Sequence, residues 1–301
     1  MTGEARSEAG RLGRSEETGL AGGDEGAGRC GRTLRLHVLG SGSKGNCALI
    51  EGPEGLIMID DGFSRREVIR RMHELDLSED DVRALILTHE HGDHVTGVSV
   101  WCRRWDGPLY ASRGTADARK YLACLPFTEF MPGEALEIAG VRVLTFPTSH
   151  DVVNPCGFRF ECDGDAIGYA TDTGILPPGA MRALANARIL ALESNHDVTM
   201  LRTGPYPRML QDRIAGEGGH LSNAQAAEAV PQLVTDRTEQ LVAMHISQEN
   251  NRPSLAVRAL ADALGAELDD ALGNSATLRR GGAAPDLRIR AAGQNRPITL
   301  E

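Results

Sequence analysis

The chain has 301 residues, 41% of them hydrophobic and 25% charged, which is the composition of a globular protein and excludes collagen-like, mucin-like and wholly disordered chains. Its 32 Lys and Arg against 42 Asp and Glu give a formal charge of −10, so the surface cannot be basic all round, and any phosphate-binding region has to be local or to borrow charge from a metal. Nowhere does it carry the roughly 18 consecutive apolar residues of a membrane helix, nor an apolar stretch near its start; the expectation is a cytoplasmic protein with no membrane partner.

Residues 1–32 are rich in Gly, Glu and Arg, with Leu12 and Leu20 almost the only bulky apolar side chains. They are expected to form a disordered tail ahead of one domain spanning 33–301. Leu34, Leu36 and Val38 then alternate with polar residues, and a Gly/Ser-rich loop from Gly40 to Asn46 leads to Ala48–Ile50, predicting a hairpin. Gly55–Asp60 and Val82–Thr88 are short continuous apolar runs suited to strands inside a sheet. Between them Ser64–Leu75 has helical spacing, with Arg65, Arg66, Arg70 and Arg71 read as its solvated face. Further strands are predicted at Pro108–Ala111, Glu137–Phe146, Cys156–Cys162, Ala166–Thr171, Ile189–Glu193 and Gln240–His245. Helices are predicted at Asp93–Arg104, Ala116–Leu122, Gly179–Ala185, Pro207–Gly216, Asn223–Leu233 and Pro253–Leu264. Residues 267–285 read as a loose insertion, and Leu287–Ile289 and Ile298–Leu300 as a closing hairpin around Gly293-Gln294-Asn295. Helices falling between groups of strands point to an α/β protein with two helix-covered sheets rather than one doubly wound sheet.

Six cysteines (Cys30, Cys47, Cys102, Cys124, Cys156, Cys162) are scattered without a CxxC pair, which reads as free thiols and not as a disulfide framework or a Cys-rich zinc site. Aromatic residues are 4% of the chain, too few for a base-stacking platform to be the leading reading.

The strongest chemical signal follows the strand ending at Thr88. His89-Glu90-His91-Gly92-Asp93-His94 packs three imidazoles and two carboxylates into six residues. His89 and His91 can point the same way from an extended loop, while Asp93 and His94, at the start of a helix, can face a second point, a geometry suited to two metal ions with nitrogen and oxygen ligands. A solvated polar loop or a mononuclear structural site are the bland alternatives. His150, Asp172 and His245 each follow an apolar strand, and each alone could be an ordinary loop residue.

Taken in order, Asp60, the HEHGDH run, His150, Asp172 and His245 resemble the five motifs of the metallo-β-lactamase fold superfamily. The resemblance spans nearly all of 33–301 and implies an αββα sandwich with a dinuclear site at one edge. It implies His89, His91 and His150 on one divalent ion, Asp93, His94 and His245 on the other, and Asp172 bridging, with Asp60 orienting a ligand. Leu39–Cys47 (LGSGSKGNC), Ser149-His150-Asp151, Glu193–Asp197 with Leu201–Pro207, and Gly219–Asn223 (GHLSN) are similar to YycJ-type proteins, a group with 5′-end DNA exonuclease activity and a suggested place in mismatch repair.

Gly219–Ser222 is also similar to the histidine motif of the tRNA 3′-processing endonucleases of this superfamily, which implies that His220 assists the leaving oxygen, and Asp93 is placed to orient or deprotonate water. His220 could also be a loop histidine ahead of a helix capped by Ser222 and Gln225. Candidate substrate contacts are Ser41, Ser43, Lys44 and Asn46 in the Gly-rich loop, with Arg202 and Tyr206 beyond Asp197; His196 reads equally as a substrate contact or a loop cap. Zinc, manganese and iron all suit the ligand types. DNA is the expected partner, with RNA processing or hydrolysis of a small ester or thioester as alternatives, and a homodimer fits the resemblance.

Overall fold

The computed structural model describes residues 33–301, so the tail expected at 1–32 lies outside the described residues. Two sheets face each other. The first holds seven strands: β1 (Arg35–Gly40), β2 (Cys47–Gly52), β3 (Gly55–Ile59), β4 (Val82–Ile86), β5 (Leu109–Ser112), β6 (Phe127–Phe130) and, at the edge beside β1, β16 (Ile298–Leu300). The second holds nine, in the order β13 (Glu267–Leu268), β14 (Ser275–Leu278), β15 (Leu287–Ala291), β12 (Gln240–Met244), β11 (Ile189–Glu193), β10 (Asp165–Ala170), β9 (Cys156–Cys162), β8 (Val141–Pro147) and β7 (Ala135–Ile138). Part of each sheet is parallel, β3 to the edge strand β6 in one and the central β10, β11, β12 and β15 in the other.

The continuous apolar runs are explained by burial on both faces. Successive side chains of a strand point to opposite sides, so Ile57 and Ile59 of β3 enter the core between the sheets while Leu56 and Met58 enter the core under the helices. Strand β11 repeats this with Ile189 and Ala191 inward and Leu190 and Leu192 outward. The outer face of the first sheet is covered by α1 (Arg65–His73), α2 (Gly92–Val95) and α3 (Val98–Trp101), through Val68, Met72, Val95, Val98 and Trp101. Ser64 caps α1 by accepting a hydrogen bond from the Glu67 amide. Helix α4 (Pro178–Leu184) packs on the second sheet, followed by α5 (Val198–Thr203) and by α6 (Arg208–Ile214), which borders the cleft described below. Helices α7 (Asn223–Leu233) and α8 (Pro253–Leu264) complete the outer layer of that sheet, giving the expected αββα order. The five described cysteines are free thiols.

Several expectations need correction. Glu137–Phe146 is not one strand: Ala139 and Gly140 both take positive φ (48° and 73°), which turns the chain into the β7–β8 hairpin. The helix expected over Asp93–Arg104 is broken into α2 and α3 at Gly97, which lies so close to the Phe63 carbonyl and the Asp61 carboxylate that no Cβ would fit. Ala116–Leu122 forms turns instead of a helix, with the Arg119 and Leu122 amides bonding back three residues. The expected insertion at 267–285 supplies β13 and β14, the edge of the second sheet. The expected terminal hairpin is absent, because β15 joins one sheet and β16 the other; the Gly293–Asn295 turn carries the chain across. Strand β6 and helix α5 had not been expected.

Candidate metal centre and cleft

Most of the titratable motif residues lie at or just after the ends of strands along one edge of the sandwich. Asp60 follows β3, the HEHGDH loop follows β4, Asp172 follows β10, Glu193 ends β11, and His245 follows β12. Asp60, Asp172 and His245 share one backbone feature, a left-handed conformation with φ of 57°, 55° and 51°. Side chains adopt this region at a cost that Asp and His tolerate better than most, and it turns each residue sharply off its strand into the site.

The sequence neighbours fix which nitrogen each imidazole presents. Thr88 donates its hydroxyl to Asp60 Oδ2 at 2.7 Å and so accepts from His89 Nδ1 at 3.0 Å. Asp60 Oδ2 also takes His94 Nδ1 at 2.8 Å, and the Gly219 carbonyl takes His150 Nδ1 at 3.0 Å. With Nδ1 carrying a proton, Nε2 is the atom that the neutral rings of His89, His94 and His150 would offer to a cation. Atoms of His89, His91 and His150 lie within 4.8 Å of one another, as do those of Asp93, His94 and His245, and those of His89, His94 and Asp172. The structure therefore brings together all seven candidate ligands in the two groups expected, with Asp172 between them.

A cation fits this donor set. His89 Nε2, Asp172 Oδ2 and His245 Nε2 are buried with no hydrogen-bond partner. One such atom costs about 1–3 kcal/mol, and Asp172 groups with His89 on one side and with His245 on the other, which suits two neighbouring cations. Burial, reinforced by His94, pushes His89 well below its ordinary pKa, and burial followed by His150 lowers His91. On the other side burial is outweighed: Asp172 and Asp60 hold His94 up at about 9, and Asp172 and Glu193 raise His245. Against its own burial, Asp172 is held well below the usual carboxylate range by His245 and His94. Cations entering the second group would displace protons.

Glu193 falls within a motif stretch that the sequence pointed to, but its contacts with two histidines were not read there. It is fully buried at the end of β11, where Oε1 accepts from His220 Nδ1 at 2.8 Å and from His245 Nδ1 at 3.0 Å. Its Oε2 accepts from the Thr173 and Leu221 amides. Burial would raise its pKa, but His220 and His245 hold it at about 2. The available signal was a lone carboxylate closing an otherwise apolar strand, ILALE. The Ser222–Gln225 capping box is also present, so His220 sits on a rigid helix start and lines the cleft.

That cleft, about 250 Å³, opens over the centre. Of the candidate substrate contacts, Ser43 and Tyr206 line it. Ser41 and Asn46 do not; both are buried, Ser41 accepting from the His245 amide at 2.7 Å and Asn46 donating to Asp93 Oδ2 at 3.1 Å, so they hold ligands in place. Lys44 is exposed outside the cleft and Arg202 pairs with Asp212 on the surface. His196 is buried away from the cleft, its backbone bridged to Ser222. Arg71 departs from the solvated face expected of it: it is buried, donating from Nη1 to the Leu39 and Gln294 carbonyls. Gln294 in turn bonds Lys44 N and Gly45 O, clasping the Gly-rich loop. Gly42, at φ 142°, has no space for a Cβ against the Gln294 side chain.

A family model for the beta-lactamase superfamily domain matches residues 56–246. Exodeoxyribonuclease YycJ of Bacillus anthracis is 32% identical over 235 residues, 77% of this chain and 89% of that protein. Exodeoxyribonuclease WalJ of Streptococcus pneumoniae serotype 2 is 34% identical over 229 residues, 74% of this chain and 85% of that protein. Among solved structures, the metallo-beta-lactamase fold protein YhfI from Bacillus subtilis superposes with a TM-score of 0.62 at 13% identity, covering 89% of this chain and 99% of that one, a likeness of fold. With its sandwich, its edge of converging ligands and these relatives, the chain belongs to the metallo-β-lactamase superfamily, in the group that contains YycJ and WalJ.

Proposed function

We propose that the chain is a metal-dependent phosphodiesterase that removes nucleotides from the 5′ end of DNA, as part of cytoplasmic DNA repair. The observation that carries this reading is the buried Asp172, whose Oδ2 has no hydrogen-bond partner, grouped with His89 and His94 on one side and with His220 and His245 on the other, in a cleft that His220 lines. The names of the relatives direct it to DNA, and the resemblance supplies the 5′ polarity and the repair role.

His89, His91 and His150 would hold one divalent cation and Asp93, His94 and His245 the other, with Asp172 shared; zinc, manganese and iron all suit these ligands. Such a pair supplies Lewis acidity toward phosphate oxygens and makes water acidic enough to react near neutral pH. Asp93 orients the attacking water and accepts its proton. Glu193 fixes Nδ1 of His220, which leaves Nε2 to donate a proton to the departing oxygen. Every group comes from one chain, so the chemistry asks for no second copy even if the protein forms a homodimer.

The test is release of label from 5′-labelled and 3′-labelled duplex DNA by manganese- or zinc-loaded protein, run beside a His91→Ala, Asp93→Ala double variant. Release of 5′ nucleotides by the wild type alone is the expected result. No cleavage at either end with two ions bound would overturn the DNA assignment; turnover of precursor RNA or of a thioester instead would move the site to one of those substrates.

A further inference from the structure

We propose that Arg213 reads a phosphate on the 5′ end of the strand being degraded, while Tyr206, Leu210 and Ile214 form the wall on which the terminal nucleoside lies; this rests on the exonuclease reading above. Among the described residues lining the cleft, Arg213 is the only Lys or Arg. The spacing of positions 206, 210, 213 and 214 places these side chains on one face of α6 and the turn before it, and all four line the cleft. At about 250 Å³ the cleft is too small to take in a duplex, so only the end of a strand could enter it.

Arg213 is already aimed. Its Nε donates to Asp151 Oδ2 at 2.6 Å, and the other Asp151 oxygen lies 3.8 Å from His91 Nε2 and 3.7 Å from His150 Nε2. The carboxylate thus ties the guanidinium to the ligand loops while Nη1 and Nη2, which have no partner among the described residues, remain for a phosphate. A guanidinium fork matches phosphate oxygens two at a time, which a lysine cannot do.

The chemistry makes such a reader useful at every turnover. Water adds to phosphorus and gives its proton to Asp93; the bond from phosphorus to the 3′ oxygen of the terminal nucleotide breaks, and that oxygen leaves with a proton from His220. The phosphate stays on the shortened strand as a new 5′ end, the feature Arg213 recognises. An enzyme built this way hesitates on a 5′-hydroxyl end once and then proceeds normally.

The experiment compares one duplex carrying either a 5′-phosphate or a 5′-hydroxyl, measuring first-nucleotide release by the manganese-loaded enzyme and binding by fluorescence anisotropy in a chelator. The wild type should release the phosphorylated nucleotide about tenfold faster, the worth of one charge-assisted contact, and bind that end more tightly. Arg213→Gln should treat both ends alike, and Arg213→Lys should recover part of the preference. A preference that survives in Arg213→Gln, or that is absent in the wild type, overturns the inference and leaves the exonuclease reading standing. Degradation of neither duplex overturns both.

Discussion

Strand β10 begins in one buried charged cluster and ends at another, and the two are built on opposite principles. At its start, Asp165 has both oxygens fully used: Oδ1 accepts from Ala166 N and Arg188 Nε, Oδ2 from Thr33 N, Leu34 N and Arg188 Nη2. Only Arg188 Nη1 is left over. Two residues past its end, Asp172 lies among imidazoles, and its Oδ2, His89 Nε2 and His245 Nε2 have no hydrogen-bond partner. A charge that the protein satisfies by itself belongs to the architecture; one left unsatisfied amid other donors is addressed to something from outside.

The sharpest way to break this contrast is to remove its two aspartates in turn. Asp172→Ala should lower kcat by about a thousandfold or more, the scale of deleting a central electrostatic group, and reduce bound metal measured by mass spectrometry. Its unfolding midpoint should move little, because the side chain satisfies no structural donor that lacks another partner. Full hydrolysis with two ions bound would show that the ligand set is wrongly assigned. Asp165→Asn should do the reverse, costing about 3 kcal/mol in urea unfolding by leaving Arg188 buried without its charge partner, with metal content unchanged.

Asp165 also yields a pH test. Burial raises its pKa, but the hydrogen bonds from Arg188 and from the Leu34 amide more than reverse this and leave it below the ordinary value. Its contribution to stability is therefore complete above the unfolded pKa of about 3.9 and is lost as pH falls through the lower folded value. Acid unfolding should show that loss in the wild type and not in Asp165→Asn. A smaller effect belongs to Glu193→Gln, which keeps the shape and removes the charge that holds His220 and His245. Activity should fall about 10- to 100-fold, with a matching loss of metal affinity in chelator competition; a change in stability alone would make Glu193 merely structural. Smallest of all, Gln294→Ala should cost about 1 kcal/mol through the bonds to Lys44 and Gly45, read by the same urea titration.

What the sequence made legible follows the same division. The HEHGDH run is contiguous, so three histidines and Asp93 could be read as a group, and His150, Asp172 and His245 could be placed because each follows an apolar strand. Helices α7 and α8 were legible to the residue, since apolar spacing, the Ser222 cap and Pro253 agree. Glu193 was hidden because its meaning depends on two histidines 27 and 52 positions away. The inward direction of Ser41 and Asn46 was hidden for a related reason: a Gly-rich loop shows which residues are polar but not which way they face. The β7–β8 turn was missed because Ala139 adopts a backbone conformation that alanine seldom takes, and the crossing from β15 to β16 because local spacing says nothing about which sheet a strand will join.

That crossing bears on how the protein is made. Strand β1 pairs on one side with β2, a few residues later, and on the other with β16, where Val38 meets Ile298 and Leu36 meets Leu300. Gln294, on the way to β16, clasps the loop whose Ser41 and Asn46 steady His245 and Asp93. As the ribosome feeds the chain out, the imidazoles at 89–94 emerge early, yet their surroundings stay unfinished until the segment near 294–300 follows. Contacts this distant in sequence also slow folding, because a long loop must close before they form. Residues 33–150 therefore carry five of the seven candidate ligands, while the loop that steadies Asp93 and His245 is clasped only by a residue some 250 positions farther along.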